Sequence, residues 1–417
     1  MLLPVPVSDS STNFDVLIAG AGPAGLAAAL HLLRARPTLA GRIAAIDKAR
    51  HPRPKTCAGG LIPKTMLALD ELGLPLAVPH VVVRNGHART EVGDVTYPAG
   101  RPLCTIVRRE EFDSWLASAA RNSGLVLLED TRIIAVARRR DHVTVNTDRG
   151  DFSCRLLIGA DGSGSRVRAC VFDASKASIG RALMTDIAVD PKIAEEFANA
   201  GYRFDFRCIP AGVKGYSWSF PCLVEGRPHF NVGIYEQHPR HSAEDRTARA
   251  NLFDQLRAAF PELPLCDLGL QPFSYKAFPI RWFSPGDSYA DRNVMLAGDA
   301  AGCDPLMGEG ISCAFEHGKL AASAAARFLD GDLSALPSYN DALHRGPVGC
   351  KLGWLAFATR RFYGPHHRLY FWLAMRSRQA QEIGVDWYNG ENHLDEFPAR
   401  KLLARWVRRV LSPRPVR

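Results

Sequence analysis

The stretch Phe14-Asp-Val-Leu-Ile-Ala-Gly20-Ala-Gly22-Pro-Ala-Gly25 decides the fold. Its first half is a short apolar run of the kind that forms a buried strand, and a helical pattern from Leu26 to Arg36 follows it. Gly20 permits a tight turn after the strand, and Gly22 lets backbone approach a pyrophosphate. Gly25 lets the helix pack close to the sheet, while free N–H groups at the helix N-terminus face the phosphate. A second apolar run, Arg42 to Asp47, ends in an acid 27 residues after Gly20. Asp47 is thereby placed to accept a ribose hydroxyl. Strand, helix, strand and acid together predict a dinucleotide-binding βαβ unit.

Two more strand-to-turn segments extend the pattern. Arg155 to Asp161 reads as a buried strand running into Gly162-Ser-Gly164-Ser165-Arg166, and Asn293 to Ala297 as another running into Gly298-Asp299-Ala-Ala-Gly302. An acid at such a turn can hold a hydroxyl of a long sugar chain, and the glycines leave room for ribityl and pyrophosphate. In this order the three motifs resemble FAD-dependent oxidoreductases of the group containing aromatic hydroxylases, halogenases and geranylgeranyl reductases. The resemblance covers Phe14 to Leu329 and implies FAD held by Gly20, Gly22, Gly25, Asp47, Asp161 and Asp299. In that group an arginine in an R-x-x-F-D pattern contacts the cofactor, here Arg109 with Phe112 and Asp113. Ala24, Ala58, Gly60, Ile133 and Gly298 are expected beside the same cofactor.

Within the group the chain is most similar to the geranylgeranyl reductase family. Lys55-Thr-Cys57-Ala58-Gly59-Gly60 matches that family's cysteine followed by a glycine pair, and Tyr216-Ser-Trp218-Ser-Phe220-Pro221 matches its Y-x-W-x-F-P substrate motif. Pro305-Leu-Met-Gly308-Glu-Gly310-Ile311 fits its flavin-facing loop. The likeness implies cofactor contacts at Cys57, Pro305, Gly310 and Ile311, and substrate contacts at Tyr216, Trp218, Phe220 and Pro221. Tyr216, Trp218 and Phe220 alternate and project to one face of a strand, as either a core stripe or the wall of an apolar tunnel. One departure stands out. Where the family carries G-x-G after F-P, this chain has Gly233-Ile-Tyr235, and Tyr235 is expected to narrow the pocket.

The implied activity is reduction of a carbon–carbon double bond in an apolar, isoprenoid-like substrate, with Cys57 giving the proton. A hydroxylase or halogenase on the same scaffold is the alternative, and a non-catalytic flavoprotein electron carrier is the alternative from another class. The chain has no second G-x-G-x-x-G for a nicotinamide nucleotide, so the electron donor is either NAD(P)H bound transiently or a redox protein.

The expected architecture is α/β. A discontinuous FAD-binding Rossmann-type domain (1–80, 100–180, 285–335) carries an inserted antiparallel β-sheet substrate domain (81–99, 181–284) and a helical C-terminal region (336–417). The composition, 47% hydrophobic and 23% charged over 417 residues, is that of a globule. Net charge is +9, but residues 399–417 hold seven Lys or Arg and no acid, so the remainder is nearly neutral. A nucleic-acid partner is not expected; the basic tail reads either as a terminal helix docked on the protein with its arginines solvated or as a helix lying on an anionic membrane surface. Ten cysteines without a C-x-x-C point to a cytoplasmic protein with free thiols and no metal site. Met1 to Asn13 does not read as a signal peptide, and no apolar run is long enough to span a bilayer.

Overall fold

The computed structural model describes residues 12–98, 100–173, 179–189, 201–237, 252–263, 276–376 and 378–388. The chain opens with β1 (Thr12–Ala19), α1 (Pro23–Ala35), β2 (Ile43–Ile46), β3 (Gly60–Leu61) and α2 (Pro63–Glu71). There follow β4 (His80–Val83), β5 (Asn85–Thr90), β6 (Gly93–Pro98), β7 (Cys104–Val107), α3 (Arg109–Asn122) and β8 (Val126–Leu128). Next come β9 (Ile133–Arg138), β10 (Val143–Thr147), β11 (Gly150–Gly159), α4 (Arg166–Val171), β12 (Ile179–Ala188) and β13 (Tyr202–Asp205). The chain continues through β14 (Gly215–Val224), β15 (Arg227–Glu236), α5 (Leu252–Ala259), β16 (Lys276–Arg281), β17 (Ala290–Asp291) and β18 (Val294–Leu296). Helices α6 (Ile311–Leu329), α7 (Ala335–Arg345), α8 (Pro347–Phe362), α9 (His367–Arg376) and α10 (Arg378–Tyr388) complete it.

The fold is mixed α/β, as the sequence predicts. One sheet has the order β17-β18-β11-β1-β2-β8, with β10 and β9 turned back antiparallel on β11. Strands β8, β2, β1, β11 and β18 run parallel; β2, β18 and the second halves of β1 and β11 are buried, and α1 and α6 pack on each other and against this sheet. Their C-terminal ends bear Gly20, Asp47, Ala160 and Gly298, so the three sequence motifs meet along one edge. Gly318 of α6 sits so close to α1 that an added Cβ would lie 2.8 Å from the Ala24 carbonyl oxygen. That crossing holds the third motif against the first.

The second sheet, β16-β12-β15-β14-β13-β5-β6, is antiparallel except where β5 meets β13. One of its faces looks across a gap at the motif edge of the first sheet. A small third sheet, β3-β7-β4, joins the two. No described helix is long and apolar enough to cross a membrane. Nine cysteines lie among the described residues, all with free thiols. The basic tail at 399–417 falls outside the described residues.

Candidate active site

The gap between the two large sheets is a cavity of about 560 Å³ reaching from Gly20 and Asp47 at one end to Trp218 and Phe220 at the other. Its polar end is built by the first glycine motif. Gly20 has φ +99° and lies against Ala160, whose carbonyl oxygen would be 2.4 Å from any Cβ there. Asp47 is buried and accepts the Ala21 N–H and the Ala49 N–H, each at 3.0 Å. This is how the acid draws the turn onto the end of β2. Arg53 enters from the loop after β2, its Nη2 3.5 Å from both Asp47 and Asp113 and close to Gly22. Its Nε is buried and has no partner among the described residues. An unpartnered guanidinium donor beside a glycine turn and a helix N-terminus fits the pyrophosphate of FAD.

Midway along the cavity sit Cys57, Arg109 and Lys55. Cys57 Sγ accepts the Gly59 N–H at 3.4 Å. Gly59 has φ +76°, and a Cβ there would strike the Val107 carbonyl, so the glycine pair is what lets the cysteine loop press onto β7. Arg109 is buried and paired in bidentate fashion with Asp113, at 2.7 and 2.9 Å. Burial opposes its charge, but Asp113 and the neighbouring Cys57 Sγ outweigh that and hold its pKa above the usual value. The arginine therefore braces the cysteine loop as well as lining the cavity. Burial pushes the Lys55 ammonium down to about 8, with Asp299 the largest compensating charge.

Asp299, at the turn after β18, accepts from Ser163 Oγ at 3.4 Å and lines the cavity. Beneath it, buried His317 accepts the Gly298 N–H at Nδ1, 3.1 Å away. Burial lowers its pKa to about 4, so it stays neutral and keeps that acceptor. The loop from Asp304 to Gly310 forms the opposite wall. Asp304 accepts the Leu306 and Met307 N–H groups, and burial raises its pKa to about 6. Three phenols hold three successive carbonyls of this loop. Tyr235 donates to Pro305 at 3.4 Å, Tyr363 to Leu306 at 2.8 Å, and Tyr216 to Met307. Gln237 Nε2 adds a second donor to the Pro305 carbonyl.

The far end is aromatic. Tyr216, Trp218 and Phe220 project from one face of β14 into the cavity with Phe204, Tyr235, Phe278 and Ile280. Trp218 Nε1 donates to Asn231 at 2.8 Å, and Asn231 donates on to Asp186. Each polar tip is thus satisfied inside the wall, and the chamber presents ring faces.

Most residues expected from the sequence line this one cavity: Gly20, Gly22, Ala24, Asp47, Cys57, Ala58, Gly60, Arg109, Ile133, Asp161, Asp299, Gly310, Ile311, Tyr216, Trp218 and Phe220. Others lie behind it. Gly25 and Gly298 pack against backbone or Ala24, and Pro305 turns its carbonyl to Tyr235 and Gln237. Pro221 alternates to the opposite face of β14 and is buried outside the cavity lining. Asp161 spends its carboxylate on Ser165 Oγ and the Arg166 and Val167 N–H groups at the start of α4, so its partners are local. Sequence reading assigned no role to Arg53, Lys55, Phe278 or His317. Lys55 opens the cysteine motif without a role of its own, and Arg53, Phe278 and His317 stand at no motif spacing and reach the site through tertiary packing alone.

Residues 13–347 match the family model described as FAD binding domain. The chain is 30% identical over 339 residues to the menaquinone reductase of Mycobacterium tuberculosis, covering 76% of each chain. It is 28% identical over 327 residues to the geranylgeranyl diphosphate reductase of Rhodobacter capsulatus, again covering 76% of each. Among solved structures, a geranylgeranyl bacteriochlorophyll reductase-like protein of Thermoplasma acidophilum superposes with a TM-score of 0.71 at 19% identity, covering 95% of this chain and all of that one.

Proposed function

The chain belongs to the FAD binding domain family, among its geranylgeranyl reductase-like oxidoreductases, and from that premise we propose that it saturates a carbon–carbon double bond in an apolar, isoprenoid-type substrate. It is an FAD-dependent oxidoreductase; the substrate class and the proton donor are the proposal. The observation that carries the reading is the position of Cys57. The thiol is held by the Gly59 N–H and lies beside Arg109, in the same cavity as a chamber of ring faces.

Gly20, Gly22, Arg53 and Asp47 would hold the pyrophosphate and ribose, with Asp299 toward the sugar chain. Reduced FAD, when bound, supplies a hydride to one alkene carbon. Cys57 holds a proton at Sγ and gives it to the other carbon, forming the second C–H bond as the S–H bond breaks. The thiolate left behind lies next to the Arg109 guanidinium and regains a proton from solvent. Trp218, Phe220 and Phe204 bind the apolar chain and exclude water from the reacting carbons. The electrons come from NAD(P)H or from a redox protein.

The test is anaerobic. Protein reduced with dithionite is mixed with geraniol or with geranylgeraniol and flavin absorbance is followed, with products identified by mass. Flavin reoxidation matched by a product heavier by two hydrogens is the expected result. Reoxidation only by oxygen, with a hydroxylated product, would instead mean a monooxygenase.

A further inference from the structure

On the cavity face of the second sheet, β14 and β15 form three cross-strand rows. Phe220 stands opposite Asn231, Trp218 opposite Gly233, and Tyr216 opposite Tyr235. In the second row a large residue faces none, and the indole fills the space, since a Cβ at Gly233 would lie 2.1 Å from Trp218 Cζ2. In the third row two large residues face one another, their ring centroids 5.5 Å apart. Tyr235 is 1% exposed and fixed on several sides. Its hydroxyl donates to the Pro305 carbonyl and accepts from Trp282 Nε1 at 2.8 Å. Its ring rests on Gly180, where a Cβ would come within 2.8 Å of Cε2. Trp282, whose Nε1 meets that hydroxyl and lies against the same Gly180, is only half-buried and is absent from the cavity lining.

Tyr235 therefore stands between the apolar chamber, which it lines, and the half-buried Trp282 behind its hydroxyl. We propose that Tyr235 is a specificity-determining stop, which limits how much of an apolar chain can lie beyond the reacting position. It restricts the site to compact rings or to double bonds with a short chain past them. The residue works by volume: neither hydrogen bond of its hydroxyl is needed for the stop, only the ring. This inference rests on the apolar-substrate reading given above.

The experiment measures binding to the oxidised FAD-loaded protein by tryptophan and flavin fluorescence. The probes are geraniol and its four-isoprene homologue geranylgeraniol. Tyr235→Gly is expected to shift the affinity ratio toward the longer alcohol by about tenfold or more, because several further methylenes find room. Tyr235→Phe keeps the ring and is expected to keep the wild-type ratio. Should Tyr235→Gly not fold, Tyr235→Leu takes its place, with a smaller shift in the same direction. An unchanged ratio in the folded, flavin-loaded small-residue variant overturns the stop. Because no turnover is needed, a failed reductase assay leaves the result standing. If neither alcohol binds the wild-type protein, the apolar-substrate reading falls, and the stop falls with it.

Discussion

Lys55 Nζ lies 3.1 Å above the centroid of the Phe278 ring, so an ammonium from the loop after β2 meets an aromatic face of β16 across the cavity. The contact ties the glycine-motif side to the aromatic sheet at the place where the two face each other. It also sets a buried charge against a ring, which offsets part of the cost of burial.

That cost has a pH signature. Lys55 titrates near 8 in the folded protein, below its ordinary value of 10.5. Between those values the unfolded chain binds more protons, so stability rises as pH climbs from about 8 to about 10.5. Below 8 the full penalty is present, on the order of 3 kcal/mol. Lys55→Met is expected to be more stable than wild type at pH 7, and the difference should shrink toward pH 10.5. Urea unfolding of both proteins across this range checks it; parallel pH profiles would show that Lys55 is not a strained charge.

Cys57→Ala is expected to keep FAD and to be reduced normally by dithionite. Its reduced flavin should then be reoxidised by alkene about 10²–10⁴-fold more slowly, the usual effect of losing a positioned proton donor. Stopped-flow absorbance measures this directly. A wild-type rate would assign Cys57 to packing and the proton to another group.

Arg53→Ala removes the cavity-lining guanidinium whose Nη2 lies beside Gly22 and whose Nε is unpartnered among the described residues. FAD affinity is expected to fall by roughly 10–100-fold, as for a lost hydrogen bond to a charged group. The loss should be smaller at high salt, where the electrostatic part is screened. Titration of apoprotein with FAD, followed by flavin fluorescence, gives the answer, and equal dissociation constants would place Arg53 outside the phosphate site.

Gly233→Ala tests the fit of Trp218. A methyl group 2.1 Å from the indole forces the ring or β15 to move, at a cost of about 1–3 kcal/mol. The unfolding midpoint should drop and the tryptophan emission shift, since Trp218 also loses its geometry toward Asn231. A variant with unchanged stability and emission would mean that the rows of the sheet can slide without penalty.

The glycine motifs were legible in the sequence because local backbone geometry demands them. Gly20 and Asp47 are linked through one turn and one strand, and their spacing survives any change in the rest of the chain. Asp161 shows the limit of that logic. Its spacing marks a strand-to-helix turn correctly, yet spacing does not say whether a carboxylate faces a cofactor or its own helix, and here three local donors take it. Pro221 was carried along by its motif, although alternation along β14 turns it away from Trp218 and Phe220. Lys55 and Phe278 could not be paired in advance. More than 200 residues separate them, and their meeting depends on how the two sheets face each other. Tyr235 was visible as a departure from the G-x-G pattern, but its ties to Trp282 and Pro305 arise only in the fold.

The phenol of Tyr363 on the Leu306 carbonyl has a consequence for where this catalytic unit ends. Tyr363 lies beyond residue 347, where the match to the FAD binding domain stops, yet it supports the wall that faces the flavin site. A chain cut after α7 would retain every glycine motif and every cavity-lining residue. It would nevertheless leave a buried carbonyl without its donor, a loss of about 1–3 kcal/mol placed in the loop that must stay still. The helices after residue 347 thus act as a buttress for the flavin wall, and the smallest autonomous oxidoreductase unit is longer than its motifs suggest.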